Sequence, residues 1–275
     1  MGYIVEKNLG LWRKNSRFEV AERIRCKFFL LLLAGIHLLA GCAPDPKNIQ
    51  KATFHYGLGY SHLQQGDPTS ALREFYEAEK LNPRDPANQH ALGMALSAKG
   101  KYTEALEHYR KALKLDPKYT EVHNAMGAAY LEMGKWDEAI QEFQIVLKDI
   151  LYLTPFFVHN NLGWAYYKKG DLNNAVENYK KAVGMKPDFG LAHYNLGVAY
   201  LDRKQPDQAA VSFRQATALA PGLLDAHFQL GKLYFEAGNK EDAEKSFQEV
   251  IKLSPKSESA RMARQYLDLL KKSGR

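Results

Sequence analysis

Residues 92–117 read LGMALSAKGKYTEALEHYRKALKLDP. A Leu-Gly pair (Leu92-Gly93) opens the stretch, Ala105 follows the glycine twelve residues on, and Tyr109 comes one helical turn later. Ala112 stands three residues beyond, and Asp116-Pro117 closes the run. The pattern recurs five more times: Leu58-Gly59, Met126-Gly127, Leu162-Gly163, Leu196-Gly197 and Leu230-Gly231 open the other units. Ala71, Ala139, Ala175, Ala209 and Ala243 hold the alanine position, and Phe75, Phe143, Tyr179, Phe213 and Phe247 the aromatic one. A small residue or valine follows (Ala78, Val146, Ala182, Ala216, Val250), and Pro83, Pro187, Pro221 and Pro255 end most units. The spacing between equivalent glycines is 34 residues, except for 36 across the third unit.

Apolar residues at i, i+3, i+4 and i+7 make each unit a pair of amphipathic helices. Glycine and alanine belong where the two helices cross, since a larger side chain would hold the backbones apart. The aromatic one turn after the alanine is expected to fill the wedge between units. Gly66, Gly100, Gly134, Gly170 and Gly238 stand between the helices as terminators; the fifth unit has Lys204 there, with Pro206 two residues on. Asn82-Pro83, Asp116-Pro117 and Lys186-Pro187 stop the second helices, because the residue before a proline is pushed out of helical conformation. No unit buries its apolar faces alone, so the units stack into a quasi-one-dimensional solenoid.

Glycine, alanine, aromatic and proline at this period resemble the tetratricopeptide repeat (TPR). The resemblance implies an all-α, right-handed superhelical solenoid of six helix pairs, with a capping helix at its end. The units fall at 52–85, 86–119, 120–155, 156–189, 190–223 and 224–257, with cap and tail over 258–275. The third unit is two residues longer because Asp149–Pro155 replaces the usual ending, a turn insertion or a partner contact displaying Tyr152 and Leu153. The cap is expected to place Leu267, Leu269 and Leu270 on one side and Arg261, Arg264 and Lys271 on the other.

The N-terminus carries a different message. Arg23, Arg25 and Lys27 precede the apolar run Phe28–Ala40, which ends in Leu39-Ala40-Gly41-Cys42. Thirteen residues are too few to span a bilayer, which takes about 20, but they suit the h-region of a signal peptide. The Leu-Ala-Gly-Cys ending resembles the lipobox of bacterial lipoproteins. That resemblance implies removal of residues 1–41, a lipid on Cys42, and a short linker over 42–51. Ala43, rather than an aspartate, after the cysteine favours the periplasmic face of the outer membrane. Met1–Glu22 is long for an n-region, which puts the expected start of translation nearer Val20.

Composition excludes several classes. Across 275 residues, 45% hydrophobic and 25% charged content is globular rather than disordered, and a mean hydropathy of −0.44 excludes a polytopic membrane protein. Two cysteines cannot build a disulfide scaffold or a four-cysteine zinc site. Of the net +7, +4 lies within residues 1–41, so the rest is nearly balanced and shows no basic patch for nucleic acid.

Nothing in the repeats reads as catalytic, and no cofactor, metal or small-molecule substrate is expected. His55, His123, His159, His193 and His227 recur at the fourth position of a unit. One histidine per helix pair is too widely spaced for shared coordination, so these are read as packing residues. What remains is the concave face. The family's lining positions give, as a peptide-binding groove, Tyr56, Tyr60, His90, Met94, Asn124, Asn160, Trp164, Tyr167, Tyr194 and Phe228. The Lys-Asn clamp by which some TPR cochaperones hold a terminal carboxylate has no counterpart here. An aromatic, amide-rich surface instead suits an apolar or extended protein segment.

A lipobox followed by six TPR units resembles the type IV pilus biogenesis/stability lipoproteins, the pilotins, as does the proline (Pro155) ahead of Asn161-Leu162-Gly163. This implies a scaffold at the outer membrane that binds secretin subunits and assists their assembly. The alternatives are another envelope-assembly TPR lipoprotein (barrel assembly or polysaccharide export), or a periplasmic client-presenting holdase such as one for cytochrome maturation.

Overall fold

The computed structural model describes residues 45–272; Cys42 and the leader expected over 1–41 lie outside them. Thirteen helices and no strand occur among the described residues. They are α1 Pro46–Gln64, α2 Pro68–Leu81, α3 Pro86–Ala98, α4 Tyr102–Leu115, α5 Thr120–Glu132 and α6 Trp136–Val146. Then follow α7 Pro155–Lys169, α8 Leu172–Met185, α9 Gly190–Asp202, α10 Pro206–Leu219, α11 Leu224–Glu236, α12 Lys240–Leu253 and α13 Glu258–Lys272.

Each odd-numbered helix from α1 to α11 packs on the even one that follows, and each even one on the next odd one. This is the expected solenoid of six pairs, closed by α13 against α12 and α11. Helices α1, α3, α5, α7 and α9 also touch in turn, with no comparable contact between successive even-numbered helices among the described residues. The first helices therefore form the inner, concave layer and the second helices the outer one.

Glycine at the crossing is a strict requirement. A Cβ on Gly93 would stand 2.3 Å from the Tyr109 ring, and one on Gly163 2.6 Å from the Tyr179 ring. The aromatic thus lies over the glycine of its own unit as well as against the next one, a correction to its expected place in the wedge alone. Phe75, for example, meets Ala91, Leu92 and Ala95 of the second unit, and the buried Asn88 Nδ2 donates to the Phe75 carbonyl at 2.9 Å.

Turns within a pair follow one plan. Gly170 sits at φ 87°; its N–H bonds Tyr167 O at 3.0 Å, and Asp171 N–H bonds Tyr166 O at 2.9 Å. These two bonds make a Schellman motif. The fifth unit builds the same motif around Lys204 at φ 58°, the one non-glycine residue in left-handed conformation among those described. Aspartates then start several helices, as where Asp67 accepts from Thr69 N (3.1 Å) and Ser70 N (3.0 Å).

Three expectations need correction. Helix α1 begins at Pro46, inside the stretch expected as linker, because Asp45 caps it and Pro46 takes the first helical position. In the third unit's connection Tyr152 packs inward on the core, while Ile150, Leu151 and Leu153 are the exposed residues. In α13 the packed side is Ala260, Ala263, Tyr266, Leu267 and Leu270, and Leu269, two residues from Leu267 and so on the far side of the helix, is exposed. No helix among the described residues is long and apolar enough to cross a membrane.

Candidate functional site

The concave layer holds a groove of about 810 Å³ running across α3, α5, α7 and α9. Its walls are mainly apolar and amide, with one carboxylate: Met94 and Ser97 from α3, Ala128, Leu131 and Glu132 from α5, Asn160, Asn161 and Trp164 from α7, and Leu191 and Asn195 from α9. A smaller hollow of about 190 Å³ adjoins it, lined by Trp164, Tyr167, Tyr194, Asn195 and Val198 over the ring of Tyr179. Trp164 and Asn195 form the wall that the two share.

Helical spacing builds this wall. Residues three and four apart face the same way, so Trp164, Tyr167 and Lys168 project together from α7. The Trp164 and Tyr167 rings stack 5.5 Å apart at 19°. Lys168 Nζ lies 5.3 Å from the Trp164 ring centroid and 5.9 Å from that of Trp136, at the start of α6. This cation–π sandwich fixes one side of Trp164, while 38% of the residue stays exposed. Tyr167 Oη donates to Asp202 Oδ2 at 2.6 Å, tying α7 to the end of α9. Burial, and then the Asp202 bond, push that phenol up to about 12.

The amides link the same helices. Asn195 Nδ2 donates to Asn160 Oδ1 at 3.0 Å, which holds the buried Asn160 rigid. Asn124 on α5 has a buried Oδ1 with no hydrogen-bond partner. That oxygen is closed off inside the packing and Asn124 is not among the residues that line the groove, which corrects its expected place there.

Of the ten groove residues named from sequence, Met94, Asn160 and Trp164 meet in the main groove and Trp164, Tyr167 and Tyr194 around the smaller hollow. Tyr56 and Tyr60 form a separate stacked pair, 6.4 Å apart, in the first unit; Tyr56 leans on Phe75. His90 is turned into the packing. Its Nδ1 lies 3.2 Å from Tyr119 Oη, its ring packs edge-on to Tyr119, and burial pushes its pKa down to about 4. Phe228 corrects the list: it is 9% exposed and packs edge-on against the stacked rings of Phe247 on α12 and Tyr266 on the cap, because α13 covers the last unit's inner face.

The histidine row is held by hydrogen bonds rather than apolar packing, and three of its five members bond across the helix pair. His55, His123 and His159 Nδ1 donate to Glu74, Glu142 and Asn178 at 2.8, 2.7 and 3.0 Å, each nineteen residues on. The second unit reverses the pair, with His108 donating to Gln89 at 2.8 Å. In the fifth and sixth units Ser212 and Ser246 stand at the partner position and bond their own helix backbone. His193 and His227 turn instead to the carbonyls of Pro187 and Pro221. Burial lowers the pKa of His108 and of His159. Among the described residues no group of three side chains is placed to hold a metal.

Sequence reading missed Asn195, Leu191, Trp136 and Lys168. Leu191 is the second residue of its unit and Asn195 the sixth, positions the groove list did not draw on, and the pairing of Trp136 with Lys168 requires knowing where α6 meets α7.

Helix pairs with glycine beneath an aromatic, stacked in one direction around a concave amide-and-aromatic face, define a tetratricopeptide-repeat solenoid. Family models of the repeat agree: one described as TPR repeat matches residues 93–134 and 163–204. Three described as tetratricopeptide repeat match 50–88, 125–149 and 200–266. The chain is built of tetratricopeptide repeats. No curated protein matches it in sequence. Among solved structures it resembles PilW, described as a widely conserved type IV pilus biogenesis factor, with TM-score 0.70 at 21% identity over 77% of this chain and 97% of that one. It is similar to PilF of Pseudomonas aeruginosa, with TM-score 0.71 at 19% identity over 80% and 99%. YrrB, described as a TPR protein with an unusual peptide-binding site, follows with TM-score 0.54 at 24% identity over 70% and 97%. At these identities the likeness is one of fold.

Proposed function

We propose that this chain is a non-enzymatic, lipid-anchored scaffold that holds an extended protein segment in its concave groove, and that its client is a secretin subunit of a type IV pilus. The groove across α3, α5, α7 and α9 carries the reading. Trp164, Met94 and Leu131 offer apolar area, and Asn161 and the Asn160–Asn195 pair offer amide acceptors and donors to a client's backbone. Trp and Tyr held rigid by stacking bind at low entropic cost, which is why such residues dominate interface energetics. The pilus assignment draws support from the lipobox and from the near-complete overlap of this solenoid with PilW and PilF.

A lipid on Cys42 would confine the scaffold to the periplasmic face of the outer membrane, raising its effective concentration for membrane-bound clients. The groove would then shield one apolar client segment until the subunits oligomerise. Deletion of the gene is expected to lower heat-stable secretin multimers while monomer persists. Normal multimers in the deletion strain would contradict the secretin assignment, and capture of the protein from the envelope would then identify the client it does hold.

A further inference from the structure

Six connections lead from a second helix to the next helix, and five of them expose a proline followed by Arg84, Lys118, Asp188, Gly222 or Lys256. The third exposes aliphatics: Ile150 is 94%, Leu151 79% and Leu153 91% exposed. None of the three is needed to hold the loop. Tyr152 supplies its packing, and the Asp149 carboxylate accepts from Thr120 Oγ1 at 2.6 Å and from Leu151 N–H at 3.0 Å. The loop is therefore ordered in advance around side chains that gain nothing from the fold. An apolar patch kept in water without a structural role marks a contact site.

Topology says which contact. Because each pair is antiparallel, every first helix begins at the same edge of the solenoid, so the start of α1 and the loop before α7 lie on one edge. Asp45, which caps α1, is three residues from Cys42, and three residues reach at most about 10 Å. A lipid on Cys42 would hold that edge against the bilayer. We propose that Ile150, Leu151 and Leu153 enter the membrane surface to which the chain is tethered, setting the solenoid edge-on with its groove open to the side. This rests on the reading of Cys42 as the lipid-bearing residue. Three aliphatics alone bind a bilayer weakly; a tether makes their insertion an intramolecular event. Lys148, exposed beside them, keeps its ammonium at headgroup level.

The test uses the acylated protein reconstituted in vesicles of phosphatidylethanolamine and phosphatidylglycerol. In the processed, acylated chain Cys42 has no free thiol and Cys26 is gone, so Leu151→Cys offers one site for an environment-sensitive fluorophore. Lys135→Cys, at the opposite edge in the same unit, is the reference. The probe at 151 should lose its fluorescence to spin-labelled acyl chains and escape aqueous iodide, with the reverse at 135. A probe at 151 that iodide reaches as freely as at 135, or that only a protein partner protects, would overturn the proposal while leaving the anchor intact. A free Cys42 thiol, seen as a second label in mass analysis, would overturn the anchor and this inference with it.

Discussion

Gly163 lies under the ring of Tyr179 so closely that a Cβ there would meet Cδ1 and Cε1 at 2.6 Å. Tyr179 is 1% exposed and cannot swing aside. The same approach recurs at Gly59, Gly93, Gly127, Gly197 and Gly231. Gly163→Ala should therefore destabilise the protein by about 1–3 kcal/mol despite alanine's better helix propensity, the range typical of overpacking. Denaturant unfolding measures it. In an exposed helical position the same change would stabilise, so an unchanged or higher midpoint would show that the ring yields.

Lys204 predicts the opposite sign. It occupies φ 58° in a Schellman motif where five other units carry glycine. A left-handed residue with a Cβ is strained by about 1–2 kcal/mol, and glycine removes the strain while adding some freedom to the unfolded chain. Lys204→Gly should raise stability by roughly 0.5–1 kcal/mol. A lower thermal midpoint would mean that the Lys204 side chain makes a contact worth more than the strain.

Burial holds His90 at about 4, below the usual 6.5. Its folded pKa is depressed, so its contribution to stability is complete above about 6.5 and is lost as pH falls toward 4. Stability of the wild type should decline over that window by on the order of 3 kcal/mol through this group. His90→Gln should flatten the decline, read from urea midpoints at several pH values. An identical pH dependence in the variant would place the titration elsewhere.

How much of this could be read from the residues depended on whether a position answered to the repeat. Gly93, Ala105, Tyr109 and their equivalents follow a short-range steric rule, so helix pairs and their stacking were legible. Trp164, Tyr167 and Tyr194 were legible as a cluster because repeat positions map onto one face. Phe228 was not, since the helix that buries it comes after the last repeat and docks through Tyr266. Nor was Leu269, because an apolar residue adjacent in sequence is not adjacent on a helix. The histidines misled for another reason: His55, His123 and His159 bond a Glu or Asn nineteen residues on, and His193 and His227 bond a proline carbonyl six residues back, polar pairings that no apolar pattern reveals.

The anchor predicts a separation of folding from location. Cys42 precedes the first helix, which begins at Pro46, so Cys42→Ala should keep the wild-type helical content and thermal midpoint. It should also leave the protein unprocessed or displaced from the outer-membrane fraction. Unaltered fractionation would remove the lipoprotein reading and leave the solenoid untouched.

The central claim is that Trp164 binds a client rather than holding the fold together. Leu162, Gly163 and Tyr166 carry the packing of α7, whereas Trp164 is 38% exposed between the groove and the hollow beside it. Affinity of the wild-type and Trp164→Ala chains for the captured client, measured alongside thermal unfolding by circular dichroism, tests this directly. The account predicts binding weaker by about 2 kcal/mol or more, the scale of an interface hot spot, with the unfolding midpoint little changed. Unchanged affinity with a lowered midpoint would make Trp164 a structural residue and contradict the groove as the binding site.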